Sequence, residues 1–109
     1  MEDQKIYHFY VIDDDEISAK TIAGLLSVYG HKTDVTSNSA LAYDKILESK
    51  PDCVICDLMM PEVDGLNLCK QIRETPELDG VRFIMVSTKI YEFDQKRAFE
   101  FGADGYILK

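Results

Sequence analysis

Short apolar runs alternate with segments that repeat apolar residues at helical spacing, and this alternation leaves the chain few folds to choose from. Residues 6–12, "IYHFYVI", form a continuous apolar and aromatic run that ends at Asp13, Asp14 and Asp15. Residues 52–57, "DCVICD", and 81–87, "VRFIMVS", behave alike and end at Asp57 and Ser87. A run without polar alternation reads as a strand buried on both faces of a parallel sheet. Shorter strands are expected at 32–36, around Val35, and at 104–108.

Helices fill the gaps. Residues 16–29 place Ile22, Leu25, Leu26 and Tyr29 on one predicted stripe, with Gly30 as the stop. "SNS" at 37–39 supplies an N-cap for a helix over 40–49, with Ala42, Tyr43, Ile46 and Leu47 on its inner face. Lys50-Pro51 ends that helix, because proline disfavours helical geometry in the residue before it. A third helix over 65–74 buries Leu68, Cys69 and Ile72, "ETPELDG" is a loop, and a fourth helix over 92–101 ends at Gly102. The order β-α-β-α-β-α-β-α-β predicts an α/β sandwich around a parallel sheet. The length, 109 residues, suits one domain over 1–109.

In such sheets, ligands bind outside the carboxyl ends of the strands. That edge should gather Asp13, Asp14, Asp15, Asp57, Ser87, Thr88 and Lys109. Two carboxylates about 5 Å apart repel by roughly 3 kcal/mol at an effective dielectric of about 20. Such a cluster takes up protons or recruits a cation. An all-oxygen site with few protein ligands suits Mg2+, with Mn2+ as the alternative. Lysine, a serine hydroxyl and a metal together match the oxygens of a phosphoryl group, and a carboxylate is a nucleophile that can form an aspartyl phosphate.

The net charge of −8 makes direct grip on a nucleic-acid backbone a poor expectation. Apolar runs are far too short to span a membrane. "MEDQKIYHFYVIDDD" has no basic start followed by an apolar stretch, so the expected compartment is cytoplasmic. Cys53 and Cys56 spell C-x-x-C but lie three apart in a strand, facing opposite sides, so they are read as packing residues. His8 and His31 show no partner pattern and are assigned no chemistry.

The pieces "FYVIDDDE", "CDLMMPEVDG", "FIMVST" and "GADGYILK" together resemble the receiver domain of two-component response regulators, over nearly the whole chain. The resemblance implies a chemotaxis-regulator-like, flavodoxin-like sheet of order 2-1-3-4-5. It implies Asp57 as phosphoacceptor, with Asp13, Asp14, Asp57 and the backbone carbonyl of Met59 holding Mg2+. Ser87 would reach a phosphoryl oxygen, Tyr106 would change rotamer with it, and Lys109 would pair with Asp57 or its phosphate. Pro61 would shape the loop after the acceptor, and Asp64 would cap the next helix. The implied donor is a sensor histidine kinase or a histidine phosphotransfer protein, and the implied output is a surface change near the fourth helix and fifth strand. An output domain would lie beyond Lys109.

Two other readings compete. Asp13 and Asp15 spell D-x-D after a first strand, which resembles the nucleophile motif of haloacid-dehalogenase-type phosphatases, with Asp13 attacking and Asp15 as acid/base. That reading leaves "CDLMMPEVDG" without a task. A pseudo-receiver would keep the fold as an interaction module without phosphorylation. The sequence departs from the family at two places. It stops at Lys109, before the usual fifth helix, so the expectation is a truncated chain or one whose fifth helix comes from elsewhere, with a half-bare sheet face that offers an interface for a dimer. Thr88 is bulkier than the very small residue often found there, and is expected to narrow access to Asp57.

Overall fold

The computed structural model describes residues 5–60, 63–88 and 91–109. Five parallel strands form one sheet: β1 His8–Ile12, β2 Lys32–Thr36, β3 Cys53–Asp57, β4 Arg82–Ser87 and β5 Gly105–Leu108. Their order is β2-β1-β3-β4-β5, the doubly wound arrangement expected from the sequence. Helices α1 Glu16–Val28, α2 Ala42–Ser49, α3 Gly65–Arg73 and α4 Glu92–Glu100 connect successive strands.

Alternation along the strands decides which helix meets which face. Tyr10 and Ile12 of β1, Val54 and Cys56 of β3, and Phe83 and Met85 of β4 join one core with Ala42 and Ile46 of α2, Leu68, Cys69 and Ile72 of α3, and Ala98 of α4. Val11 turns to the opposite face and packs with Ala19 and Ala23 of α1, together with Ile22, Leu26 and Ile55. Three helices thus share one face, and among the described residues α1 stands alone on the other. Ile107 of β5, paired in register with Val86, is exposed.

The stripe of α1 differs from the expected one. Ile22 and Leu26 do pack inward, but Leu25 and Tyr29 are exposed, and the fully packed positions are Ala19 and Ala23. Small side chains let the helix lie close to the sheet, and their weak hydrophobic signal hid them. The predicted start of β1 also moves: Ile6 and Tyr7 are exposed and precede the strand. The "ETPELDG" loop contains a 3-10 turn, Pro76–Leu78, that buries Leu78 in the core.

Helix ends follow the capping chemistry. Asn38 accepts the Ala40 N–H at 3.0 Å, starting a 3-10 turn over Ser39–Leu41 that leads into α2. Lys50 closes α2 in a left-handed conformation, φ 47°, so the residue before Pro51 leaves the helix as expected. Asp64 accepts the Asn67 N–H at 2.8 Å and caps α3. Pro61, assigned a loop-shaping task from the sequence, lies outside the described residues. Cys53 and Cys56 face opposite sides of β3, and all three cysteines are free. Among the described residues, no helix is long and apolar enough to cross a membrane.

Both histidines have partners that the sequence did not reveal. His8 Nε2 meets Asp34 Oδ2 across the β1–β2 pair, and His31 Nδ1 accepts the Tyr7 N–H at 3.1 Å. These contacts tie down the amino-terminal edge of the sheet, far from the carboxyl ends.

Candidate functional site

Each candidate side chain sits where an apolar strand runs out. Asp13 follows β1, Asp57 is the last residue of β3, Ser87 the last of β4, and Lys109 follows β5. The backbone ladder continues one step beyond the strands. The Asp13 N–H donates to Thr36 O at 3.3 Å, Leu58 N–H to Val86 O at 2.9 Å, and Lys109 N–H to Ser87 O at 2.9 Å. The first side chains past the sheet are therefore held by rigid backbone, which is what a ligand site at this edge requires.

Asp13, Asp14 and Asp57 converge, with one ligand oxygen from each lying within 4.8 Å of the others. Lys109 reaches into this group. Its Nζ is 2.9 Å from Asp13 Oδ2 and 3.5 Å from Asp57 Oδ2. Asp13 is only 2% exposed, and its other oxygen accepts the Asp15 N–H at 3.0 Å. Asp57 keeps 11% of its side chain open to solvent, and Asp14 is exposed. The mouth of the site is thus at Asp14 and Asp57, and its floor is Asp13.

The electrostatics follow from three acids facing one ammonium. Burial, and then the Asp13 charge, push the Asp57 carboxyl above its ordinary pKa. Lys109 and the Met59 N–H, which donates to Asp57, pull the other way without cancelling that effect. For Lys109, burial alone would lower the pKa, but its contacts with Asp13 and Asp57 outweigh that and raise it. The lysine is therefore locked in its charged form. The excess of hard oxygen donors over cations fits a divalent metal: three carboxylates with two of them accessible can bind one while water fills the remaining positions.

Asp15 is excluded from this cluster by its local geometry. Its side chain caps α1, accepting the Ile17 N–H at 3.0 Å and the Ser18 hydroxyl at 3.0 Å. The Ser18 hydroxyl first, and then the helix N–H groups, hold its carboxyl below the ordinary value. A carboxylate so occupied is a poor acid/base, which removes the second aspartate that a D-x-D hydrolase needs. Sequence reasoning had no cap signal to assign it, because three consecutive aspartates look alike.

Ser87 is 1% exposed at the end of β4. Tyr106 lies beside Met85 in the β4–β5 register, half-buried against the larger core. Thr88 is exposed just outside Ser87. The start of α3 presses on the acceptor strand: a Cβ on Gly65 would lie 2.6 Å from the Asp57 carbonyl oxygen and 2.7 Å from Met85 Sδ. Only glycine lets the helix begin so close to Asp57. The side chain of Met59 points outward and is exposed.

Comparison with known proteins gives a consistent result. Residues 9–109 match the family model described as response regulator receiver domain. The chain is 30% identical over 99 residues to response regulator MprA of Mycobacterium sp. (strain KMS), covering 91% of this chain and 42% of that one. It therefore spans less than half the length of that relative. A putative response regulator from Chloroflexus aurantiacus superposes with a TM-score of 0.90 at 28% identity, covering 96% of this chain and 86% of that one. A response regulator from Burkholderia pseudomallei, crystallised with a phosphorylated aspartic acid, a calcium ion and citrate, superposes with a TM-score of 0.86 at 25% identity, covering 94% of this chain and 59% of that one.

Proposed function

Because this chain belongs to the response regulator receiver family, a phosphorylation-dependent module of two-component signalling, we propose that Asp57 is the residue that takes the phosphoryl group. The observation that carries this reading is the convergence of Asp13, Asp14 and Asp57 around a lysine that contacts two of them. Of the three acids, Asp57 alone combines a rigid strand end, access to solvent and contact with Lys109. Asp13 is buried beneath it, and Asp14 is exposed.

In the proposed reaction, an Asp57 oxygen forms a bond to phosphorus as the bond from phosphorus to the donor's imidazole nitrogen breaks. The electron pair leaves with that nitrogen. The donor is a phosphohistidine on a sensor kinase or phosphotransfer protein. No general base is needed once the carboxylate is ionised, and the chain's catalysis is limited to its own phosphorylation and dephosphorylation. Lys109 stays charged and moves from neutralising the carboxylate to neutralising the phosphoryl oxygens. Asp13, Asp14, Asp57 and the Met59 carbonyl would hold Mg2+, or Mn2+ in its place, which when bound supplies further positive charge against the phosphoryl oxygens. Later attack of water on phosphorus returns the carboxylate and releases phosphate.

Ser87 and Tyr106 form the proposed readout. Ser87 ends the strand next to the acceptor, and Tyr106 lies on the neighbouring strand. A hydroxyl drawn toward the new phosphate leaves space that the half-buried ring can enter, changing the surface near α4 and β5. A sensor kinase or phosphotransfer protein is the proposed partner on the input side, and an output domain the proposed partner of the changed surface.

The test compares the parent chain with Asp57→Asn, each offered a phosphohistidine donor with Mg2+ or with a chelator. Label is expected in the parent only, and only with metal. Equal labelling of Asp57→Asn would overturn the assignment, and an intact fold without any labelling would favour an interaction module that is never phosphorylated.

A further inference from the structure

The corner between β2 and α2 touches both halves of the acid site. At its first residue, the Thr36 carbonyl accepts the Asp13 N–H. The corner is then braced internally, with the Asn38 N–H donating to Thr36 Oγ1 at 3.2 Å and Asn38 Oδ1 accepting the Ala40 N–H. At its last residue, the Ser39 hydroxyl oxygen accepts the Val63 N–H at 3.2 Å. Val63 belongs to the connection that leaves Asp57 and carries Met59 before α3 begins.

Ser39 is 5% exposed, so this bond is shielded from water. The local helix start does not need the hydroxyl, since Asn38 already performs the capping. Its task is long-range, reaching a loop 24 positions away. Segment 36–39 therefore grips the backbone of Asp13 with one end and the backbone of Val63 with the other.

We propose that Ser39 is a positioning residue for the phosphorylation site, anchoring the Val63 backbone on one side while Thr36 holds the Asp13 backbone on the other, so that Met59 and the Asp13–Asp14 pair face one cation. This inference rests on the reading of the site given above. Ser39 touches neither metal nor phosphate. It acts as supporting residues around metal ligands generally do, by fixing the geometry of groups that bind directly.

The experiment titrates Mg2+ into the isotopically labelled full chain without any phosphodonor, following the Asp14, Met59 and Val63 amide signals. The parent is compared with Ser39→Ala, Ser39→Thr and Tyr43→Phe. Tyr43→Phe removes another half-buried hydroxyl, bonded to Thr75, away from the acids. Ser39→Ala is expected to raise the half-saturating Mg2+ concentration about fivefold, the value of one lost hydrogen bond. Ser39→Thr keeps the oxygen and should recover the parent affinity, and Tyr43→Phe should leave it unchanged. Unchanged affinity in Ser39→Ala, failed recovery in Ser39→Thr, or equal weakening in Tyr43→Phe would each overturn the proposal. In the unmodified chain the Val63 amide should exchange slowly with solvent, and exchange at the free-peptide rate would overturn it too. A parent that binds Mg2+ but takes no phosphate on Asp57 would remove the site reading and leave the tether standing.

Discussion

The two ends of the same sheet both carry aspartates, yet they treat them in opposite ways. At the amino ends, Asp52 and Asp104 each have donors of their own. Asp52 accepts the His8 N–H at 2.7 Å, and Asp104 accepts the Phe83 N–H and the Arg73 guanidinium, each at 2.8 Å. At the carboxyl ends, three carboxylates converge on one ammonium. Acids at the first edge bind strands together. Those at the second are held close at an electrostatic cost that a bound cation would relieve. A strand-end aspartate thus signals function when carboxylates outnumber the cations around them.

Removing Lys109 breaks this contrast most severely. Lys109→Ala leaves Asp13 and Asp57 facing each other without a cation, and phosphate incorporation should fall by about a hundredfold or more. Rates of labelling by acetyl phosphate at saturating Mg2+ measure this, and a loss under about threefold would show that the ammonium is dispensable. The opposite edge should respond in stability instead. Asp104→Ala strands the buried Phe83 N–H and removes one of the Arg73 guanidinium's partners, at a cost of about 2–3 kcal/mol. Urea unfolding would read that loss, while labelling of the folded fraction should stay near the parent rate.

A smaller effect comes with a definite pH signature. The folded-state pKa of Asp57 is raised, so its contribution favours folding below the unfolded value of 3.8 and is lost as pH rises through the raised value. An asparagine at this position is uncharged at every pH, as the protonated acid is. Asp57→Asn should therefore exceed the parent in stability at neutral pH, because burial first, and then the Asp13 charge, penalise the ionised carboxylate and Lys109 offsets them only in part. That margin should shrink toward zero as pH falls to 3.8. A margin independent of pH would mean that charge is not its source. The smallest expected change is at Thr88. Thr88→Ala opens the rim beside Ser87, and labelling by small donors should rise about twofold, the scale of a modest steric barrier. Equal rates would show that the rim does not limit access.

Much of this contrast was legible before the fold was known. Apolar runs that stop at Asp13, Asp57 and Ser87 locate strand tips, and parallel order gathers the tips on one edge. The amino-end aspartates were not legible. Asp52 and Asp104 act through bonds to His8, Arg73 and Phe83, and a single sequence carries no trace of such distant pairings. The α1 stripe was misread because alanines at close contact weigh less in a periodicity than the exposed Leu25 and Tyr29. Asp15 was ambiguous for a different reason: which of three adjacent acids caps the helix depends on where the strand ends to the residue.

Incubation with acetyl phosphate, with Mg2+ or with chelator, followed by peptide mass mapping, tests the central claim most directly. Phosphate on Asp57 that depends on the metal is the predicted result. Phosphate on Asp13, or incorporation on Asp57 that is indifferent to metal, would contradict the account.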